Sequence, residues 1–249
     1  SGNPKKDNYY GDRYLLSYTG NYNFNLDNSI VFGIEREEDQ MGYNKDLSGR
    51  ENKHNYVTSN FFDLQSRLTN NIFFTFGSRF DEHSIAGNED SHRSTVAYLF
   101  DDKTLKIKSS YGTGYRYPSL YEMFFVYASN SKSLGSVKAE NSKSFDIGFE
   151  KFFSSKNLNL EANYFNLKYD DVLEGWETGT SSGLAYTTQN MPGTVKSQGL
   201  EVISKWVVND FLNLGLNYTY SSTYDGAEQD DPNKNVSYYN AQMVRVPRN

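Results

Sequence analysis

The chain has 249 residues and no cysteine, which removes disulfides, thiolate metal sites and thiol nucleophiles from consideration. It also lacks any apolar run near the roughly 20 residues that a spanning helix requires, and its mean hydropathy is -0.74. Basic charge is not in excess: the net charge is -6 and the pI about 5.2, with the two signs mixed throughout. Phosphate backbones are bound by clustered Lys and Arg, so nucleic acid is excluded as a partner. Only three histidines occur, His54, His83 and His92, and none has metal-ligand spacing to another. The opening SGNPKKDNYYGDRY has no apolar stretch of the kind a signal peptide carries. An exported protein beginning here is expected to be mature or a section of a longer chain.

Aromatic residues are abundant, at 16%, as 21 Tyr and 17 Phe against 2 Trp. Such residues favour pleated, half-buried surfaces, and the chain alternates accordingly. In LNLGLNYTY, Leu212, Leu214, Leu216, Tyr218 and Tyr220 share one face, while Asn213, Gly215, Asn217 and Thr219 share the other. The same period of two runs through YLLSYTGNYNF, SIVFGIE, NIFFTFGSRF, TLKIKSSYG and SFDIGFEKFF. Each segment reads as a strand with one greasy and one wet side, and no helical pattern competes.

Short turns are expected at Asn25–Asn28, Leu68–Asn71, Phe100–Lys103, Ser154–Asn157 and Val208–Phe211, where tight-turn residues cluster. Between them fall longer polar loops near residues 40–53, 82–90, 115–140, 170–183 and 225–238. A membrane barrel keeps short turns at one end and long loops at the other. The parity therefore predicts an all-β, antiparallel, up-and-down transmembrane β-barrel with about eleven strands in this chain. Tyr14, Phe24, Phe80, Phe153 and Trp206 fall where strands would cross the two interfaces. Single-chain bacterial barrels usually have an even strand number. An odd count, with another strand opening at MVRVPRN, reads as part of a larger barrel. Two alternatives stay open at this level: a passive porin-like barrel, and a soluble all-β binding protein whose apolar stripes face each other across a sandwich.

YGTGYRYPSLYEMF (Tyr111 to Phe124) followed by LGSVKAENSKSFDIGFE resembles the barrel of TonB-dependent outer-membrane receptors. There a strand ending in an aromatic-Arg-x-Pro box enters a long loop. Tyr115, Arg116 and Pro118 match that box, and Glu140, Ser142, Ser144, Asp146, Gly148 and Glu150 match the strand that returns. The middle of the loop departs, since NSKSL lacks the family's proline. YTTQNMPGTVKSQGLEVISKW resembles the long descending strand, with Asn190, Gly199 and Glu201 at matching places. The resemblance covers most of residues 105–249 in order; residues 1–100 match in strand pattern alone.

The resemblance implies a barrel of about 22 strands around a plug, of which residues 1–249 are a partial section without the plug, the early strands and the last ones. It implies outer-membrane location, lipid contact, a plug domain and TonB as partners, and TonB-energised uptake of a ferric siderophore or cobalamin. No cofactor and no enzymatic activity are expected. Tyr115, Arg116, Tyr117, Tyr121, Phe124, Phe125 and Tyr127 are the candidate ligand-facing residues, whose rings suit a flat or aromatic-bearing nutrient. Packing of the loop on its neighbours explains the same rings, and Arg116 beside Pro118 suits a fixed role at the rim. Haem receptors of the family carry a His between the loop boxes, and none stands here, which favours siderophore or cobalamin.

Arg79, Lys106 and Lys108 fall on the wet face, where a plug or neighbouring-strand carboxylate is the expected partner. The acidic stretch Asp225 to Asn235 lacks calcium-loop spacing, so no metal site is assigned. GTSSG at Gly179 to Gly183 fits G-x-S-x-G but lacks the strand-turn-helix elbow of a nucleophile.

Overall fold

The computed structural model describes residues 8–44, 50–124, 137–180, 183–191 and 193–226. Ten strands form one antiparallel sheet: β1 (Asn8–Asn23), β2 (Asn28–Asn44), β3 (Arg50–Arg67), β4 (Ile72–His83), β5 (Gly87–Leu99), β6 (Leu105–Arg116), β7 (Glu140–Phe153), β8 (Leu158–Asp170), β11 (Thr194–Asn209) and β12 (Leu212–Asp225). They pair in chain order, except that β8 neighbours β11, because β9 (Leu173–Thr180) and β10 (Gly183–Asn190) form a separate hairpin between them. A five-residue helix, α1 (Leu120–Phe124), follows β6.

Register turns the sequence alternation into two faces. On one, Tyr22 pairs with Ile30, Ile30 with Leu64 and Leu64 with Phe76, and further along Ile107 pairs with Phe149 and Phe149 with Ala162. This face is uncovered: Leu16 keeps 76% exposure and Leu216 62%. So much contiguous apolar surface is stable only against a partner or a lipid phase. The apolar positions run from Tyr14 to Tyr22 on β1 and from Leu212 to Tyr220 on β12. About ten residues at roughly 3.3 Å each, tilted by about 40°, rise some 25 Å, the height of a barrel's apolar band.

The opposite face is polar and carries two hollows; it is the inner face below. Lys108 Nζ lies 2.8 Å from Glu150 and 2.5 Å from Glu161, and Lys106 Nζ lies 2.8 Å from Glu150. Arg79 bridges Glu35 on β2 and Asp81 at 2.8 and 2.9 Å. The wet-face cations thus meet carboxylates of their own and neighbouring strands.

Ten strands in the sheet and two in the hairpin among the described residues accord with the expected count of about eleven. Two expectations need correction. Residues 82–90 are not a long loop, because β4 and β5 continue to His83 and from Gly87, leaving a tight turn. Likewise β2 runs to Asn44 and β3 starts at Arg50, so most of 40–53 is strand. Above the apolar band polar residues occupy both faces, so the alternation vanishes while pairing continues. The region 170–183 contains most of the β9–β10 hairpin, and beyond Gly226 the fifth loop lies outside the described residues. The other sheet among the described residues is the two-stranded β9–β10 hairpin, and the apolar stripes of the large sheet stay exposed, so they do not form a sandwich core.

Candidate functional site at the long-loop end

Strand β6 ends at Arg116 because Pro118, fully buried, has no N–H to extend the ladder. The chain turns into α1 through a capping box. Ser119 N–H and hydroxyl donate to Glu122 Oε2 at 2.7 and 2.8 Å, and Glu122 N–H returns to Ser119 Oγ at 3.2 Å. Arg116 then gathers the loop. Its Nε donates to Glu140 at 2.6 Å, while Nη1 and Nη2 fork onto the two oxygens of Glu122 at 3.0 and 3.1 Å. The second Glu140 oxygen accepts the Leu173 N–H at 2.6 Å, at the first residue of β9. One guanidinium therefore joins the end of β6, the helix and the start of β7, and through Glu140 the next loop. Hydrogen bonds donated to Glu140 and Glu122 raise the Arg116 pKa above its ordinary value, so it is always charged. Burial alone would raise the Glu122 carboxyl, but the bonds from Arg116 and Ser119 hold it below its ordinary 4.5.

The rings around this anchor divide into packed and displayed ones. Tyr115 has a buried hydroxyl, and its ring meets Tyr117 edge-on at 5.3 Å. Tyr117 hydroxyl donates towards Gly87 O and Asp81 O at 3.2 and 3.3 Å, and its ring lies 4.5 Å from His83. Burial and the nearby Asp81 and Glu89 push the Tyr117 phenol up, which keeps it a donor. His83 closes the β4–β5 turn by accepting the Ile85 and Ala86 N–H groups on Nδ1 at 3.0 and 2.9 Å, and burial lowers its pKa. Tyr121 is 40% exposed and meets Tyr9 at 6.3 Å; the Lys53 ammonium sits 5.1 Å over the Phe124 ring. Leu120 and Met123 are buried beneath them. Below lies a hollow of about 470 Å³, reached by Arg13, Asp39, Asn55, His83, Tyr117 and Tyr121. Within it Arg13 is already paired with Asp39 at 2.6 Å. No group of three His, Cys, Asp or Glu able to hold a metal occurs among the described residues.

The description "TonB dependent receptor-like, beta-barrel" matches residues 1–249. The chain belongs to that family. Over 183 residues, 66% of this chain, it is 28% identical to the ferrienterobactin receptor of Escherichia coli (strain K12). It spans 24% of that receptor's length. The fold agrees with the siderophore receptor PirA of Pseudomonas aeruginosa (TM-score 0.72, 18% identity, covering 86% of this chain and 43% of that one). It agrees equally with a Pseudomonas aeruginosa ferric enterobactin receptor (PfeA) mutant in complex with enterobactin (TM-score 0.75, 18% identity, 89% and 37%).

Within this TonB-dependent receptor barrel, the sequence candidates separate by height. Arg116, Tyr117, Pro118, Tyr121, Phe124 and Glu140 converge at the long-loop end; Phe125 and Tyr127 lie outside the described residues. Asn190 joins this end by clamping two loop bases. Its Oδ1 accepts Lys138 N–H at 2.7 Å, and its Nδ2 donates to Lys138 O and Asp171 O at 3.0 and 2.8 Å. Beneath it Ala139, Leu173, Met191 and Val195 are buried. Ser142 sits opposite Gly114 in the ladder. Gly148, Glu150, Gly199 and Glu201 stand lower on the inner wall and do not reach the hollow. A Cβ on Gly148 would come 2.5 Å from Ala162 O, and Glu150 holds Lys106 and Lys108. Of GTSSG, Gly179 and Thr180 end β9 and Gly183 opens β10, while residues 181–182 lie outside the described residues. The His83–Tyr117 latch and the capping box are absent from the candidates listed by sequence; Ser119 and Glu122, three apart before an apolar turn, were the legible signal for the second.

Proposed function

We propose that the chain is a wall section of an outer-membrane receptor that takes a ferric siderophore at its long-loop end for TonB-energised uptake. The observation that carries this reading is the Arg116 anchor, which fixes a tyrosine- and phenylalanine-bearing loop over a hollow at the end opposite the short turns. Rings held on a rigid base suit stacking on a flat, aromatic-bearing chelate. The printed names of relatives, ferrienterobactin and siderophore receptors, favour a ferric siderophore over cobalamin. Phe125 and Tyr127 extend the same aromatic run in the sequence. The chemistry is binding and gating, with no bond made or broken.

The apolar outer face would meet outer-membrane lipid. The inner wall, with Lys106, Lys108, Glu150, Glu161 and Glu201, would face the receptor's own plug domain, on which TonB acts. The test is uptake of radio-iron as ferric enterobactin by iron-starved cells whose only siderophore receptor is the full-length protein carrying this section, with and without TonB. TonB-dependent iron uptake without cobalamin uptake is the expected result. Cobalamin uptake, or iron entry independent of TonB, would overturn the reading.

A further inference from the structure

On the outer face, Lys143 of β7 pairs directly with Lys168 of β8, and Lys168 with Lys196 of β11. Neighbouring strands are about 4.8 Å apart, so three cationic stems are rooted within roughly 10 Å on one rung. Like charges directly opposite one another destabilise a sheet. All three side chains are exposed, and none forms an ion pair among the described residues. Elsewhere on this face cations are matched: Arg36 has Glu38 at 3.4 Å and Lys151 has Asp102 at 3.6 Å. Asp170 stands one outward position above Lys168, but its Oδ1 accepts the Thr194 hydroxyl at 2.6 Å.

Height is the second observation. Lys143 is one outward position above Phe145, while Lys168 and Lys196 are two above Tyr164 and Leu200, across the amides Asn166 and Gln198. At about 3.3 Å per residue and about 40° of tilt, the ammonium roots stand roughly 5 to 10 Å above the apolar band. That is the depth of the headgroup layer. The row also lies on the long-loop side of the sheet.

The geometry points to a binding site on this row for the phosphate-bearing headgroup of a lipid in the leaflet on the long-loop side. A phosphate there neutralises three adjacent ammonium groups at once, while the acyl chains lie along Ile147, Tyr164 and Leu200 below. The inference rests on the membrane-spanning reading of the sheet, and it adds an annular lipid site outside the barrel, separate from the nutrient hollow.

The test uses the full-length receptor in phosphatidylcholine nanodiscs doped with phosphatidic acid, and reads retained phosphatidic acid by native mass spectrometry. Each lysine near an anionic surface contributes about a fivefold gain, so K143Q/K168Q/K196Q lowers retention on the order of 100-fold. The triple Lys→Arg variant retains the lipid, since it keeps the charge, and the single K168Q loses an intermediate share. Equal retention by the triple Gln variant would overturn the proposal. So would displacement of the lipid by millimolar inorganic phosphate, which would mark a site for the free ion. Failure of the receptor to enter nanodiscs at all would overturn the membrane reading itself, and is distinguishable from both.

Discussion

Replacing Arg116 with Ala removes three charge-assisted hydrogen bonds, one to Glu140 and two to Glu122. A bond to a charged group contributes roughly 1.5–3 kcal/mol when shielded and far less when solvated. The Arg116 side chain is 48% exposed, while Glu122 and Glu140 are 23% and 15% exposed, so about 1 kcal/mol per bond is the appropriate scale. The losses are not additive, because Glu122 keeps Ser119 and Glu140 keeps the Leu173 N–H. A net cost near 2 kcal/mol remains, equivalent to about a 30-fold rise in the opening constant of the loop. The cost is local. Hydrogen exchange on the full-length receptor should show peptides over residues 117–124 and 171–176 exchanging about 30-fold faster. Peptides over β7 below Ser144 should be unchanged, since their ladder bonds do not involve Arg116. Arg116→Lys should recover only part of the protection, because an ammonium cannot fork onto two carboxylates. Unchanged exchange in the loop, or equal loosening of the wall strands, would refute the anchor argument.

The depressed Glu122 carboxyl makes the anchor pH-dependent: its stabilisation is present above the ordinary value of 4.5 and is lost as pH falls through the lower folded value. Loop exchange should therefore accelerate on acidification below that range, and in Arg116→Ala the acid step should move to higher pH. Gly199→Val should abolish correct insertion, because a Cβ there would lie 2.1 Å from Tyr220 O and 2.6 Å from the Phe165 ring; the check is the heat-modifiable folded band on a gel. Leu216→Arg, on the bare outer face, should cost about 2–4 kcal/mol in a lipid unfolding assay, while Asn217→Arg on the inner face should be tolerated.

Much of the wall was legible because lipid and water on opposite faces write a period of two into the sequence, as in Leu212 to Tyr220. Legibility failed where that contrast ends. The upper parts of β4 and β5, around Asp81 to His83 and Gly87 to Asp90, carry polar residues on both faces and read as loop. The β9–β10 hairpin was hidden in a polar stretch rich in Gly, Thr and Ser. At the site, Pro118 marked the end of β6 and Arg116 suggested a fixed rim role, but its partners lie 6 and 24 residues away and needed the fold to be seen. The lysine row was invisible in sequence, since Lys143, Lys168 and Lys196 become neighbours only through register across three strands.

The central claim is that the alternating face of this sheet meets lipid. The chain has no cysteine of its own, so single cysteines placed at each position from Leu212 to Tyr220 of the membrane-inserted, full-length receptor, with any cysteine outside this section replaced by serine, report cleanly. Fluorophores at the even positions should be quenched by nitroxide-labelled lipid, while the odd positions should react with a water-soluble thiol reagent. Quenching without a period of two, or reagent access at every position, would contradict the account.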